Sequence, residues 1–233
     1  MITQDQPTIF GDNLIAALSS KSDGNLKFGI NDDVTTLTHR RAFLEKAGID
    51  IMHTSLVGIT YNTNDFAKYR LATLEDKSIG MLEPNMTRHV DALVVRTPNH
   101  ALFLPLADCA GVILYDPKQK ILMVSHLGRH SVEQEGAVKS VQYLQRTCNS
   151  NPAELLVWIS PSVGKATYPL HAFEDRSLQE VIIEQLHAAG VTDKHIEASQ
   201  VDTARDENYF SHSEYLKGNN EPGRFAIVAM LPS

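Results

Sequence analysis

Apolar positions along the chain fall into short runs of two periods. Leu37, Ala42, Phe43 and Leu44 lie near helical spacing and predict a helix over Thr35–Lys46, with Gly48 where a helix end favours a left-handed residue. Ser55–Tyr61 and Ala92–Arg96 predict strands, separated by a polar loop holding Gly80, Pro84 and Asn85. Further on, Leu155–Ile159 predicts a strand, Pro161 and Gly164 a loop, Glu174–Ala189 a helix stopped by Gly190, and Arg224–Leu231 a last strand. Helices interspersed among strands predict an α+β fold, with mixed sheets flanked by helices.

The richest stretch is ALFLPLADCAGVILYDPKQKILMVSHLG, in which Asp116-Pro117-Lys118-Gln119 interrupts apolar runs. Asp and Pro at the first two positions suit a type I turn, so a β-hairpin is expected. A two-residue loop would place Tyr115 opposite Lys120 and, further down the ladder, Cys109 opposite His126, with Cβ atoms about 5 Å apart. A one-residue slip would turn the two side chains to opposite faces. After His126, the loop Leu127-Gly128-Arg129-His130 leads to Ser131, whose spacing to Gln134 fits a capping box for a helix with Val138, Val141 and Leu144 on one face.

Bulk properties narrow the function classes. The chain has 233 residues, 42% hydrophobic and 21% charged, with no linker-like tract, and is expected to form one domain over residues 1–233. A formal net charge of -7 argues against general nucleic-acid binding and favours small solutes as ligands. The start MITQDQPTIFGDN has neither a basic nor an apolar leader character, and no apolar run is long enough to span a bilayer, so a cytoplasmic location is expected. In that setting Cys109 and Cys148 are expected as free thiols.

Cys109 and His126 are the main candidates for chemistry: together they would form either half of a zinc site or a thiolate–imidazolium pair. The alternatives are a buried cysteine acting as a small hydrophobe and a core histidine. Asp108 is a candidate general base or orienting partner, or a strand-end residue. Arg129 and His130, at a helix start with Gly128, are candidate anion contacts or solvated loop charges. His53, His89, His100, His171 and His187 show no metal-ligand spacing, and no Walker, GxGxxG or HExxH motif occurs.

The ordered fragments VDALVV, LADCAGVILYDP, VSHLG, ISPSVGKATY, VDT, YFSH and GRFA resemble the laccase-domain family across nearly the whole chain. The resemblance implies one compact layered domain. It also implies a metal site of two histidines and a cysteine, usually zinc and less often copper, and activity on purine nucleosides. Cys109 and His126 match two of those ligands; the family's first histidine is placed at Asn62, a poor zinc donor beside a thiolate. The loop after His126 lacks the family's tryptophan, and Ser213 stands where Phe-Ser-x-Arg has arginine.

The expected function is therefore phosphorolysis of adenosine, inosine or methylthioadenosine, with adenosine deamination as a further activity. Cys109, His126 and Asp108 would be catalytic, and Gly128, Arg129, His130 and Ser211 would contact nucleoside and phosphate. A catalytically degenerate ligand- or partner-binding protein is the first alternative, motivated by Asn62 and Ser213. A copper-dependent polyphenol oxidase is the second.

Overall fold

The computed structural model describes residues 5–84 and 88–233. Asn85, one of the expected loop residues, lies outside them. In chain order the strands are β1 (Ile15–Leu18), β2 (Thr54–Leu56), β3 (Tyr69–Leu71), β4 (Ala92–Val95), β5 (Ala101–Leu106), β6 (Ala110–Asp116), β7 (Ile121–Leu127), β8 (Leu156–Ile159), β9 (Ile196–Ala198) and β10 (Phe225–Met230). The α-helices are α1 (Asp33–Lys46), α2 (Arg129–Glu133), α3 (Gly136–Cys148), α4 (Leu178–Ala188) and α5 (His212–Leu216). One mixed sheet has the order β1-β10-β5-β2 and the other β3-β4-β7-β6-β8-β9, so the fold is α+β.

Period-two alternation explains the layering. In β6, Val112 and Leu114 join Ala137, Val141 and Leu144 of α3 and Val181 and Ile182 of α4 in one core, while Ile113 and Tyr115 face Leu104, Phe225 and Ile227 of the other sheet in a second. On the far side of the four-stranded sheet, Phe103, Ala226 and Val228 pack on Phe43 and Leu44 of α1. Helix, sheet, sheet and helix layers follow, and the strands buried on both faces carry nearly continuous apolar runs, broken in β6 and β7 by Asp116, Ser125 and His126.

Four expectations are corrected. The hairpin pairs Asp116 with Ile121 and Gly111 with His126, so the connection has four residues and the register is two positions from that expected. The reason is local: Asp116 Oδ1 accepts from the amides of Lys118 and Gln119, both at 2.9 Å, and Lys120 takes a left-handed conformation at φ 51°. Second, α2 begins at Arg129 with Gly128 as its cap, and Ser131 lies inside it. α3 begins separately at Gly136 and buries Ala137, Val141 and Leu144, with Val138 only half-buried. Gln134 reaches across to another segment instead of closing a capping box: its Oε1 accepts from Phe66 N at 3.0 Å and its Nε2 donates to Asn64 O at 2.9 Å. Third, the strand expected over residues 55–61 is confined to Thr54–Leu56, and the chain then leaves the sheet edge. The helix expected from Glu174 starts at Leu178, where Ser177 and Glu180 form a capping box.

Candidate functional site

A cavity of about 320 Å³ opens at one end of the two sheets. The end of β5 and the turn after it contribute Pro105 to Cys109, the end of β7 contributes His126, and the residue before β10 contributes Arg224. The hairpin register explains why His126 is there. It pairs with Gly111, whose Cβ position would lie 2.7 Å from Leu106 Cδ1, so this face of the hairpin looks toward the other sheet.

Cys109 and His126 meet across Gly128. A Cβ on Gly128 would lie 2.7 Å from Cys109 Sγ and 3.3 Å from His126 Cε1, so only glycine leaves the two side chains where they are. Tyr61 completes the cluster, with its hydroxyl 3.9 Å from Cys109 Sγ and its ring edge-on to His126 at 6.5 Å between centroids. Burial pushes the Cys109 thiol up to about 11. It pushes His126 down to about 4, with help from the Lys27 charge. The Tyr61 phenol is also raised, chiefly by Cys109, although the residue as a whole is 61% exposed. All three groups are therefore uncharged near neutrality, which disfavours the thiolate–imidazolium form of the pair.

Asp108 is committed to holding chain segments together. Its Oδ2 accepts from the amide and the hydroxyl of Ser213, both at 2.7 Å, and its Oδ1 accepts from Thr203 Oγ1 at 3.0 Å. Its backbone carbonyl accepts from Val163 N at 3.0 Å. The loops after β8 and β9 and the start of α5 are thus pinned to the residue before Cys109.

Lys27 and Arg224 face the cavity, and neither has an ion pair among the described residues. Arg224 Nη1 donates to Gly223 O at 2.7 Å, and no hydrogen bond from Lys27 Nζ occurs within the described chain. Burial lowers both pKa values, and for Lys27 the Arg224 charge adds to the effect. With Arg129 they make three cations on the cavity wall without an ion pair among the described residues, against one carboxylate, Asp108.

Of the residues singled out from sequence, Cys109, His126, Asp108, Gly128, Arg129 and His130 line this one cavity. Arg129 is exposed, with Nη2 3.4 Å from His130 Nε2, and His130 stacks on Phe66 at 4.8 Å. Ser211 caps α5, accepting from Glu214 N at 3.2 Å, and does not line the cavity. Asn62 is exposed, and its neighbour Tyr61 occupies the wall beside Cys109. Sequence reasoning missed Lys27, Tyr61 and Arg224. Arg224 sits in the GRFA fragment; Lys27 carries no local signal.

The donor set does not fit zinc. His126 Nδ1 is buried without a partner and Cys109 offers sulfur, but the third group is a phenol that holds its proton. Among the described residues no group of three or more His, Cys, Asp or Glu side chains could hold a metal ion. Nor is any helix of the described residues long and apolar enough to cross a membrane.

A family model for "multi-copper polyphenol oxidoreductase laccase" matches residues 19–175 and 174–232. The chain belongs to this laccase family. It is 29% identical over 111 residues to the purine nucleoside phosphorylase YlmD of Bacillus subtilis (strain 168), an alignment covering 47% of this chain and 38% of that relative. Solved structures share the fold. YlmD from Geobacillus stearothermophilus superposes with a TM-score of 0.87 at 18% identity, covering 100% of this chain and 98% of that one. The hypothetical protein YfiH of Bacillus licheniformis gives 0.85 at 20% identity, covering 94% and 93%. The laccase family's name refers to copper, whereas the cavity of this member offers neither a copper nor a zinc donor set among its described residues.

Proposed function

We propose that this chain cleaves purine nucleosides with inorganic phosphate, and the observation that carries the reading is the pair of unpaired cations, Lys27 and Arg224, facing the cavity that also holds Cys109 and His126. A relative named as a purine nucleoside phosphorylase supports the choice of substrate. In this reading Arg224 and Lys27 hold the phosphate, while Phe66, Leu170 and Leu178 give the base an apolar wall. A phosphate oxygen bonds to C1′ as the C1′–N9 bond breaks, and the bonding electrons leave on the purine, which must gain a proton. Cys109 and Tyr61, both protonated near neutrality, are hydrogen-bond donors suited to the developing negative charge on the base. Asp108 acts as a positioning residue through Ser213 and Thr203.

A second reading, ligand binding without turnover, draws on the commitment of Asp108. It is the only carboxylate lining the cavity among the described residues, and its oxygens already accept three hydrogen bonds. Release of base from adenosine and inosine, with and without phosphate, separates the two. Phosphate-dependent release that falls at least about 100-fold in Arg224→Ala supports phosphorolysis. Saturable nucleoside binding without any release supports the binding protein. Release at an unchanged rate without phosphate refutes the phosphorolytic reading.

A further inference from the structure

A second cavity of about 190 Å³ adjoins the first, and the two share Lys27, Ile59 and Pro105. Its other walls include Phe28, His89 and Arg40. Arg40 is the unusual member. It is 1% exposed, yet no acidic side chain pairs with it among the described residues. Nε donates to Leu26 O at 2.8 Å, and Nη1 donates to Gly80 O at 2.8 Å and Met81 O at 3.1 Å. Nη2 donates to nothing within the described chain.

Its guanidinium is fixed by stacking, 4.0 Å from the Phe28 ring centroid and 5.3 Å from that of Phe103. A buried cation whose contacts are carbonyl dipoles and two aromatic faces, with Asp33 acting only from beyond ion-pair distance, is costly. A guanidinium held rigid, with one nitrogen unused and a second cation, Lys27, on the same wall, is arranged for an anion. Two positive charges match a phosphoryl dianion better than a singly charged carboxylate.

We infer that this second cavity is a phosphoryl-binding subsite in which Arg40 Nη2 holds the group, with Lys27, on the wall common to both cavities, adding its charge. It is carried either as the 5′-phosphate of a nucleotide whose sugar and base occupy the first cavity or as free phosphate. Only the nucleotide form rests on the function proposed above; the anion site itself does not. In the nucleotide form, the substrate class shifts from nucleosides toward nucleoside 5′-monophosphates.

Calorimetric titration of inosine, inosine 5′-monophosphate and inorganic phosphate tests this on the full chain. The variants are Arg40→Met, which removes the guanidinium, and His89→Trp, which narrows the cavity from an exposed position while leaving both cations. Melting curves establish that each variant is folded. The monophosphate is expected to bind the wild type about tenfold more tightly than inosine, and this advantage is expected to vanish in Arg40→Met and shrink in His89→Trp.

Equal binding of nucleoside and nucleotide, with phosphate affinity that falls about tenfold in both variants, supports the subsite with free phosphate as its ligand. Phosphate and nucleotide affinities unchanged in His89→Trp and in a folded Arg40→Met overturn the inference. Should Arg40→Met fail to fold, unchanged affinities in His89→Trp alone overturn it. Absence of nucleoside binding together with Arg40-dependent phosphate binding counts against the proposed function while leaving the subsite in place.

Discussion

Gly128 offers the sharpest test of how the site is built. Its backbone, at φ −109° and ψ −177°, lies where any L residue is comfortable, so Gly128→Ala introduces no conformational strain. The whole effect comes from one methyl group. That carbon would sit 2.7 Å from Cys109 Sγ and 3.3 Å from His126 Cε1, against the 3.5–4.0 Å or so of ordinary carbon contacts. Overpacking of this kind costs about 1–3 kcal/mol, which for a chain of this size lowers the melting midpoint by about 2–4 °C per kcal/mol. Alanine is also a poorer helix cap than glycine, but that loss is common to every background and cancels in a double-mutant cycle. Denaturant unfolding of wild type, Gly128→Ala, Cys109→Ala and the double variant isolates the contact. Removing Sγ takes away the shorter clash, so the double variant should be more stable than additivity predicts by about 1–2 kcal/mol. Additivity within about 0.5 kcal/mol would show that Cys109 and Gly128 do not touch, and would refute this account of the cluster.

Other expectations follow from the same residues. With a pKa raised from 9.0 to about 11, Cys109 carries about 100-fold less thiolate at pH 7 than an ordinary cysteine, and its greater intrinsic nucleophilicity recovers only about tenfold. Alkylation by iodoacetamide, mapped by mass spectrometry, should therefore run about tenfold slower than for a free thiol peptide and climb steadily to pH 10; a plateau below pH 8 contradicts the neutral-thiol picture. Asp108→Ala removes the acceptor of the Ser213 N–H and of the Ser213 and Thr203 hydroxyls, and should lower stability by about 1–3 kcal/mol with or without substrate; a variant that loses activity at unchanged stability assigns Asp108 to chemistry instead. Burial depresses His100 and His126 to about 4, so the unfolded chain binds more protons than the folded one between about pH 6.5 and 4. Stability contributed by the neutral rings is present above that window and lost as pH falls through it. A melting midpoint flat from pH 7 to 4 in denaturation scans rules this out.

How much of the site could be read from the chain depends on whether a local rule governed each residue. The expected hairpin register was two positions out, because the side chain of Asp116 closes a four-residue connection that turn composition alone does not distinguish from a shorter one. An even slip preserves the face, so Cys109 and His126 still converge; an odd slip would have separated them. The start of α2 was misplaced for a similar reason: Ser131 and Gln134 satisfy a capping-box spacing, but Gln134 bonds to Phe66 and Asn64. Tyr61 was missed by one residue. In an irregular segment leaving a sheet edge no periodicity dictates which side chain turns inward, so the family pattern placed Asn62 at the ligand position while the neighbouring phenol took the wall.

Lys27 and Arg224 lie beyond any local rule. They come together because β10 enters the middle of its sheet beside the segment that follows β1: Leu26 N donates to Arg224 O at 3.0 Å, and Arg224 N donates to Asn25 Oδ1 at 3.0 Å. That backbone pairing joins residues almost two hundred positions apart, and its consequence is electrostatic. A formal charge of -7 spread over the whole chain argues against polyanions as partners, but at 10 Å or so of screening in salt it says little about one hollow. Inside the cavity the nearest carboxylate, Asp108, already accepts from Ser213 and Thr203, and Cys109, His126 and Tyr61 are uncharged. Lys27, Arg129 and Arg224 outnumber the single carboxylate on the cavity wall, and on the proposed function that excess favours a small anion in a protein that is negative overall. Composition says nothing of this local balance, which arises from the tertiary contact between the segment after β1 and the residue before β10.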